Sequence, residues 1–366
     1  MVGFILVGRS KLIAHQVLQS IRCFSTKKCV LVGHQETKIL RWSLLVRQHF
    51  PIDLEGGDDQ AFVKLVNSLP GITSETVLIP FDCDGIKMVR RVAHRLKMRI
   101  SPVPDLPTLE MFDDKWTFHE FCGRNNLSTP PTIFIGAKSN LDFDKVITEL
   151  GLPFILKPTN WSGSRGVYLM SSKKQFEKTV LNHADYDHGD LIAQKYIDGA
   201  DIGFNLLAFN GRLSAFGIQQ RRGPEMIFLP FPELEAMATK ICLVSGYNGP
   251  MNVDARVDKE TGKVFLLESN PRFWANTAAS AFCGMNFVAR CIGQDVSEQD
   301  VRTLVDGACN MRSPLLVPFL WGRMLFGKDQ QSRLLRARAL NPYAAGTLVK
   351  ELSQAGIKFA NRTRRN

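Results

Sequence analysis

Between positions 101 and 107 the chain reads Ser-Pro-Val-Pro-Asp-Leu-Pro, and the hydrophobic rhythm differs on the two sides of this stretch. Proline fixes φ and removes a backbone donor, so three prolines in six positions read as a linker. Before it, short apolar runs at Phe4–Gly8, Cys29–Gly33 and Thr76–Pro80 alternate with helical spacing at Lys11–Cys23, Ala61–Leu69 and Ile86–Leu96. Strand, helix, strand in this order predicts a parallel sheet with helices on its faces. After the linker a helix is expected over Asp113–Asn125, a loop through Leu127-Ser-Thr-Pro-Pro-Thr132, and a helix over Asp144–Leu150. From Pro153 onward the pattern turns to hairpins: Phe154–Lys157, Val167–Met170, Leu191–Ile197, Phe204–Phe209 and Leu213–Gln219. Then come a helix over Glu233–Gly246 and a last hairpin, Met251–Val257 with Val264–Asn270. The fold class expected is α/β followed by α+β.

Length and composition bound the alternatives. The 366 residues allow two or three domains, and 45% hydrophobic with 22% charged residues is ordinary globular composition. Eight cysteines without a CxxC pair, and seven histidines without ligand spacing, favour reduced thiols in a cytoplasmic protein over a disulfide framework or a zinc site. The apolar start Met1–Gly8 is too short for a signal peptide, and no apolar run reaches the roughly 18 residues of a membrane span. The nearest approach, Ser313–Gly327, is interrupted by Arg323. Of the net charge of +11, about +9 lies in residues 311–366, where eleven Lys or Arg meet only Asp329 and Glu351. That basic segment, with Leu315, Phe319, Trp321 and Phe326, reads either as peripheral contact with an anionic membrane or polyanion, or as a solvated helical cap. No nucleic-acid-binding motif accompanies it.

The last hairpin carries the strongest chemical signal. Strands alternate faces, so Asn252, Asp254 and Arg256 share one side, and Val264, Leu266, Glu268 and Asn270 are expected to share one side of the partner strand. The turn Asp258-Lys-Glu-Thr-Gly-Lys263 predicts position 258 opposite 264, hence Asp254 opposite Glu268 and Asn252 opposite Asn270. Opposed residues have Cβ atoms about 4.5–5.5 Å apart. Two carboxylates that close repel one another. A divalent cation such as Mg2+, which takes hard oxygen ligands together with phosphates, relieves the repulsion. Arg272 follows as a fixed cationic fork for a phosphoryl group.

Lys157 ends the apolar strand Pro153-Phe-Ile-Leu-Lys157 at the mouth of Thr159-Asn-Trp-Ser-Gly-Ser-Arg-Gly166. Small residues let backbone N–H groups approach an anion, so the loop reads as a phosphate cradle or as a plain hairpin turn. It is not a Walker P-loop. Leu191–Asp201, a strand entering a glycine turn, offers backbone groups to a base edge and an acid to ribose. Gly8-Arg9-Ser10 at the first strand's end lacks GxGxxG, so a plain turn is expected there.

In order and spacing, Asp114-Lys115, Ser-Thr-Pro-Pro-Thr132, Phe-Ile-Leu-Lys157-Pro, the Gly/Ser loop, Gln194-Lys-Tyr-Ile197 and Glu268-Ser-Asn270-Pro-Arg272-Phe-Trp resemble the ATP-grasp superfamily. The likeness covers roughly residues 1–295 and is nearest to the carbamoyl-phosphate synthase large chain and biotin carboxylase type, in a short single-module form. It implies a Rossmann-like pre-ATP-grasp domain over residues 1–106 and a first ATP-grasp subdomain with the phosphate loop over 107–190. A second subdomain with the metal site would span 191–300, and a basic C-terminal helical tail 301–366. By this resemblance Lys115 and Lys157 contact ATP phosphates, and Ser162, Gly163, Ser164 and Gly166 belong to the closing loop. Gln194, Lys195, Tyr196 and Ile197 bound the adenine, and Asp201 the ribose. Asp254, Glu268 and Asn270 hold magnesium, and Arg272 stabilises an acyl phosphate. Asp254 stands where the family usually has Glu or Gln, and Arg165 interrupts a loop that is purely glycine-rich in several members.

The function expected is an ADP-forming, Mg-dependent ligase that activates a carboxylate, on a small molecule or a glycan, for attack by an amine. Arg221 and Arg222 are candidates for the substrate carboxylate, with plain surface charge as the alternative reading. An ATP-binding scaffold without turnover, or an ATP-grasp kinase docked on an anionic membrane, are the competing readings. A nicotinamide dehydrogenase lacks its glycine fingerprint.

Overall fold

A computed structural model of the chain describes residues 3–161, 163–183, 186, 188–293 and 301–339. Strands β1 (Phe4–Gly8), β2 (Cys29–Gly33), β3 (Val46–Pro51), β4 (Val77–Pro80) and β5 (Arg99–Ile100) form an all-parallel sheet in the order β3-β2-β1-β4-β5. Covered on both faces, its central strands are unbroken apolar runs. Phe4, Leu6, Leu31 and Ile79 pack with Ile13, Val17 and Ile21 of α1 (Lys11–Phe24). Ile5, Val7, Val30 and Leu78 pack with α2 (Asp59–Asn67) and α3 (Cys83–Val92) through Phe62, Val66, Met88 and Val89. Strand β3 is absent from the sequence reading because it lies at the sheet edge, with Arg47 and Gln48 exposed and no apolar run to announce it.

The proline-rich stretch is pinned to the first sheet's helices, since Arg90 Nε donates to Pro104 O at 2.7 Å. It runs directly into α4 (Leu106–Asp113), capped by Asp105 with Pro107 in its first turn. The helix expected over Asp113–Asn125 thus starts two residues later, and α4 before it was not anticipated. Asp114 breaks the chain and caps α5 (Lys115–Arg124), accepting from Trp116 N at 2.9 Å and Thr117 N at 3.0 Å.

The second sheet is antiparallel: β6 (Thr132–Gly136), β7 (Phe154–Pro158), β8 (Tyr168–Met170) and β9 (Leu191–Lys195), in the order β6-β9-β7-β8. Phe154, Leu156, Met170 and Ala193 bury one face against α6 (Phe143–Leu150) and Phe176 of α7 (Lys173–Phe176). Residues Ile155, Lys157 and Gln194 look the other way, into a cleft.

The third sheet holds β10 (Gly199–Phe209), β11 (Arg212–Arg222), β12 (Glu225–Leu229), β13 (Gly249–Asp258), β14 (Val264–Asn270), β15 (Arg302–Leu304) and β16 (Gly307–Asn310). The order is β14-β13-β10-β11-β12-β16, with β15 alongside β11. Phe204, Leu206, Met251 and Val253 pack with Phe118 and Phe121 of α5 and with Leu234 and Ile241 of α8 (Pro232–Ser245). Each fully buried side chain of this size contributes about 1.5–3 kcal/mol. Alternation then leaves Asn205, Asn252 and Asp254 on the opposite face.

In the β13–β14 hairpin Asp254 lies opposite Glu268 and Asn252 opposite Asn270, yet near the turn Val257, not Asp258, pairs with Val264. A bulge between Asp254 and Ala255 absorbs the extra residue, Leu267, and switches faces. Val264 and Leu266 are therefore buried among the apolar residues, while Glu268 and Asn270 face the polar side. The expectation that all four share one side is corrected by that bulge.

Beyond the third sheet's main strands, α9 (Thr277–Phe282) and α10 (Phe287–Cys291) bring Ala279, Phe287 and Val288 onto α1. Helices α11 (Trp321–Phe326) and α12 (Gln330–Ala339) follow, with Leu334 packed on Cys23, Ala278 and Ala281. The tail expected to be helical over 301–366 is corrected at its start, where β15 and β16 join the third sheet; its later described part is helical, with Arg336 and Arg338 turned inward and Arg312, Arg323 and Arg333 exposed. Arg336 donates to Met324 O and Gly327 O at 2.8 and 2.9 Å, Arg338 to Asn310 O and Arg312 O at 2.8 and 3.0 Å, and Arg323 pairs with Asp329 at 2.9 Å. Among the described residues no helix is long and apolar enough to cross a membrane. Positions 340–366 lie outside the described residues.

Candidate active site

The polar face of the third sheet and the inner face of the second enclose a cleft of about 490 Å³. Lys157, delivered by β7 from the second sheet, is buried at its wall. Its Nζ donates to Gln194 Oε1 at 2.9 Å and to Leu267 O at 3.3 Å. The second acceptor exists because Leu267 is the bulged residue of β14, left out of the strand ladder. Burial draws the Lys157 pKa down to about 8, against the pull of the Glu268 carboxylate and helped by the nearby Lys115.

Opposite Lys157, Asp254 and Glu268 face one another across β13 and β14. Asp254 keeps some contact with solvent through the cleft but is walled in by protein, and burial, then the charge of Glu268, pushes its carboxyl up to about 7. The guanidinium of Arg272 counters only part of this rise. Two facing carboxylates, one of them forced toward its protonated form, are an oxygen donor set suited to a hard divalent cation. Among the described residues no group of three or more His, Cys, Asp or Glu gathers in a metal-holding arrangement, so phosphates and the Asn270 amide would have to complete such a site.

Asn270 and Arg272 do not line the cleft and are joined to each other, with Arg272 Nη2 donating to Asn270 Oδ1 at 2.9 Å and Arg272 Nη1 to Phe273 O at 2.9 Å. Asn270 Nδ2 donates in turn to Asn252 Oδ1 at 3.1 Å. Lys115, at the first turn of α5, is buried beneath the loop that follows β7. Its Nζ donates to Trp161 O at 2.6 Å and Thr159 O at 3.5 Å, and lies 3.4 Å from Glu268 Oε2. It tethers the loop's base to the carboxylate pair and does not line the cleft.

Of the loop itself, Ser164 lines the cleft, at φ 59°, while Gly163 and Gly166 do not line it. Ser162 lies outside the described residues. Arg165 lies over the Trp161 ring, 4.9 Å from its centroid, and Trp161 is in turn 4.5 Å from His188. Lys195, Tyr196, Ile197 and Asp201 all line the cleft, as does Gln194. The Gln194 side chain, however, is committed: it accepts from Lys157 and donates to Thr132 Oγ1 at 3.0 Å, so it holds the lysine instead of reaching for a base.

Arg256 is the residue that sequence reasoning left without a role. It pairs with Asp201 at 3.3 Å, donates to Tyr196 OH and Gly199 O at 3.2 Å each, and lies over the Tyr196 ring. The signal was its alternation with Asp254 on β13. Arg221 lines the cleft beside Gln219, Met226 and Asn276. Arg222 is exposed and bonded to Gln220 Oε1 at 3.0 Å, away from the cleft lining, so only the first of the arginine pair is gathered into the site.

The turn at Gly8-Arg9-Ser10 is occupied by the chain itself. Asp82 accepts from Arg9 N at 2.7 Å, Ser10 N at 2.6 Å and Gly85 N at 3.0 Å, filling the place at the sheet's carboxyl edge where a dinucleotide phosphate would sit.

No family model matches the chain. A D-alanine–D-alanine ligase of Cupriavidus metallidurans is 28% identical over 167 residues, covering 40% of this chain and 50% of that protein. The arginine-specific carbamoyl phosphate synthase large chain of Bacillus subtilis is 21% identical over 187 residues, 45% of this chain and 17% of that one. The chain thus spans about half the length of the curated ligase it matches. Among solved structures, N5-carboxyaminoimidazole synthetase from Staphylococcus aureus, complexed with ADP, superposes with a TM-score of 0.62 at 15% identity, over 85% of this chain and 81% of that one. At such identity the likeness speaks of architecture, and on that ground the chain has the ATP-grasp fold.

Proposed function

We propose that the chain is an ADP-forming carboxylate–amine ligase that uses ATP and Mg2+ in the cytoplasm. The observation that carries this reading is the opposition of Asp254 and Glu268 across a bulged hairpin, with the Lys157 ammonium on the facing sheet. Asp254, Glu268 and Asn270 hold the magnesium, which when bound neutralises phosphate charge. Lys157 contacts the phosphates, and its suppressed basicity rises as they approach. Lys195, Tyr196 and Ile197 bound the base, and Asp201, steadied by Arg256, accepts from ribose. Arg221 orients the substrate carboxylate. Arg272 stabilises the acyl phosphate formed when that carboxylate attacks the γ-phosphorus, and an amine then displaces phosphate. The protein's part is positioning and charge neutralisation. Support comes from relatives named as ligases and from a structural neighbour holding ADP. The test is ATP consumption across pairs of carboxylic acids and amines, with mass spectrometry for the amide. ADP release that requires both partners supports the ligase, whereas phosphoryl transfer to a hydroxyl with no amine requirement overturns it.

A second reading concerns the C-terminal cap. Phe319, Leu325 and Phe326 are 76%, 64% and 82% exposed in a segment that also exposes Arg312 and Lys328, a combination that suits an anionic lipid headgroup layer. Salt-sensitive pelleting with phosphatidylserine vesicles is the expected result, and absence of pelleting at low salt removes the idea.

A further inference from the structure

Glycine in the middle of a strand weakens it, so a strand glycine calls for a reason: a backbone twist that other residues avoid, crowding, or a ligand that comes close. Strand β10, between β13 and β11 in the third sheet, holds Gly199 and Gly203, and the two differ. At Gly199 the reason is crowding, since a Cβ there would collide with Val257 O. Neither of the first two reasons applies to Gly203. Its φ lies outside the left-handed region, and a Cβ would meet Asp254 Oδ1 and Val253 O at 3.5 Å and Asn252 Nδ2 at 3.6 Å, ordinary contact distances.

The position of Gly203 supports the third reason. It is buried on the floor of the cleft, paired directly with Asp254 of β13 on one side and with Gln219 of β11 on the other. The Gln219 side chain is engaged by Asn205 at 3.0 Å and Asn276 at 3.4 Å, and the atoms nearest the missing Cβ all belong to β13. Gly203 is therefore a bare rung between the strand that carries Asp254 and the strand that carries Arg221, both of which line the cleft. In ATP-driven phosphoryl transfer the cation bridges the last two phosphates, and the group that moves lies between cation and acceptor. With the cation at Asp254 and Glu268 and the acceptor carboxylate at Arg221, that group falls over Gly203.

We propose that Gly203 seats the terminal phosphate of the nucleotide, its missing side chain letting that phosphate lie against the sheet between β13 and β11. The proposal rests on the magnesium-nucleotide reading given above, including the substrate role of Arg221. A side chain at this rung then discriminates by phosphate count. A nucleotide that ends at its second phosphate leaves the rung empty and tolerates the added atoms, whereas a triphosphate is displaced by them.

The experiment is calorimetric titration of the full chain with ADP and with the non-hydrolysable triphosphate AMP-PNP, each in excess Mg2+, with thermal melting as a check on folding. In the wild type both nucleotides are expected to bind. In Gly203→Val, ADP affinity stays within about twofold while AMP-PNP weakens by about tenfold or more. Gly203→Ala, whose Cβ has room, is expected to weaken AMP-PNP about threefold with ADP unchanged, and it carries the test if the valine variant does not fold. Equal losses for the two nucleotides, as a merely distorted strand would produce, overturn the proposal. So does undiminished AMP-PNP affinity in a folded variant, or a wild type that binds ADP but not AMP-PNP. Failure of the wild type to bind ADP in Mg2+ overturns the nucleotide reading instead.

Discussion

The loop after β1 and the floor of the cleft both gather carboxylates among polar groups, and they differ in what answers the charge. In the first, the chain supplies both sides: Asp82 is met by three backbone N–H groups, and Gly8 and Gly85 leave room for the approach. In the second, Asp254 meets another carboxylate, and the cations nearby are partly engaged elsewhere, Lys157 with Gln194 and Leu267 O, Lys115 with the loop carbonyls. A buried charge that is locally answered works for the fold, whereas one left in conflict points to a missing ligand.

The contrast breaks most sharply at Glu268. Glu268→Ala is expected to lower ATP turnover by roughly a thousandfold or more, a loss of about 4 kcal/mol in the transition state, with little change in melting temperature. Comparable activity in the variant would mean that the carboxylate pair is structural after all. Asp82→Ala should do the reverse. It strands the N–H groups of Arg9, Ser10 and Gly85 and is expected to cost about 3 kcal/mol in urea unfolding, leaving nucleotide affinity of the folded protein unchanged. Lys157→Met is expected to weaken ADP binding about thirtyfold by calorimetry, near 2 kcal/mol, without unfolding the chain.

The smallest effect is a pH slope. Burial raises the Asp82 pKa to about 6, despite the N–H groups that favour its ionised form. Between about pH 4 and 6 the folded state then binds the proton that the unfolded state releases, so this group's contribution to stability falls as pH rises through that window. The difference in unfolding free energy between wild type and Asp82→Asn should shrink by about 1–2 kcal/mol from pH 4 to pH 6. A flat or rising difference would show that the N–H groups outweigh burial.

Much of the fold was legible because it rests on apolar periodicity: the central strands of the first sheet, α1, β7 and the last hairpin each carry a clear run. The edge strands β3 and β6 were not. Thr132–Gly136 went unassigned after a loop read through Thr132 on the strength of Pro130-Pro131, but proline is tolerated beside an edge strand. At the site, Asp254 and Glu268 were found opposite one another by counting back from the turn, although the count was one residue out there and the bulge restored it. Lys115 and Gln194 were legible as residues but not as geometry, since nothing in sequence tells which acceptors a buried side chain will find. The same holds for the basic tail. Its charge could be counted, but not the inward turn of Arg336 and Arg338 onto backbone carbonyls.

Side-chain hydrogen bonds run from Arg272 through Asn270, Asn252, Asn205 and Gln219 to Asn276, and they bear on how such a chain can change over time. Because each amide takes its sense from the one before it, a substitution that reverses one member disturbs all those beyond it. Neutral drift can exchange the exposed Arg222 of the β11–β12 turn singly, but Asn252, Asn205 and Gln219 are inherited as a block. In chains descended from a common ancestor, these three positions should vary together and with the residue at 272, or not vary at all.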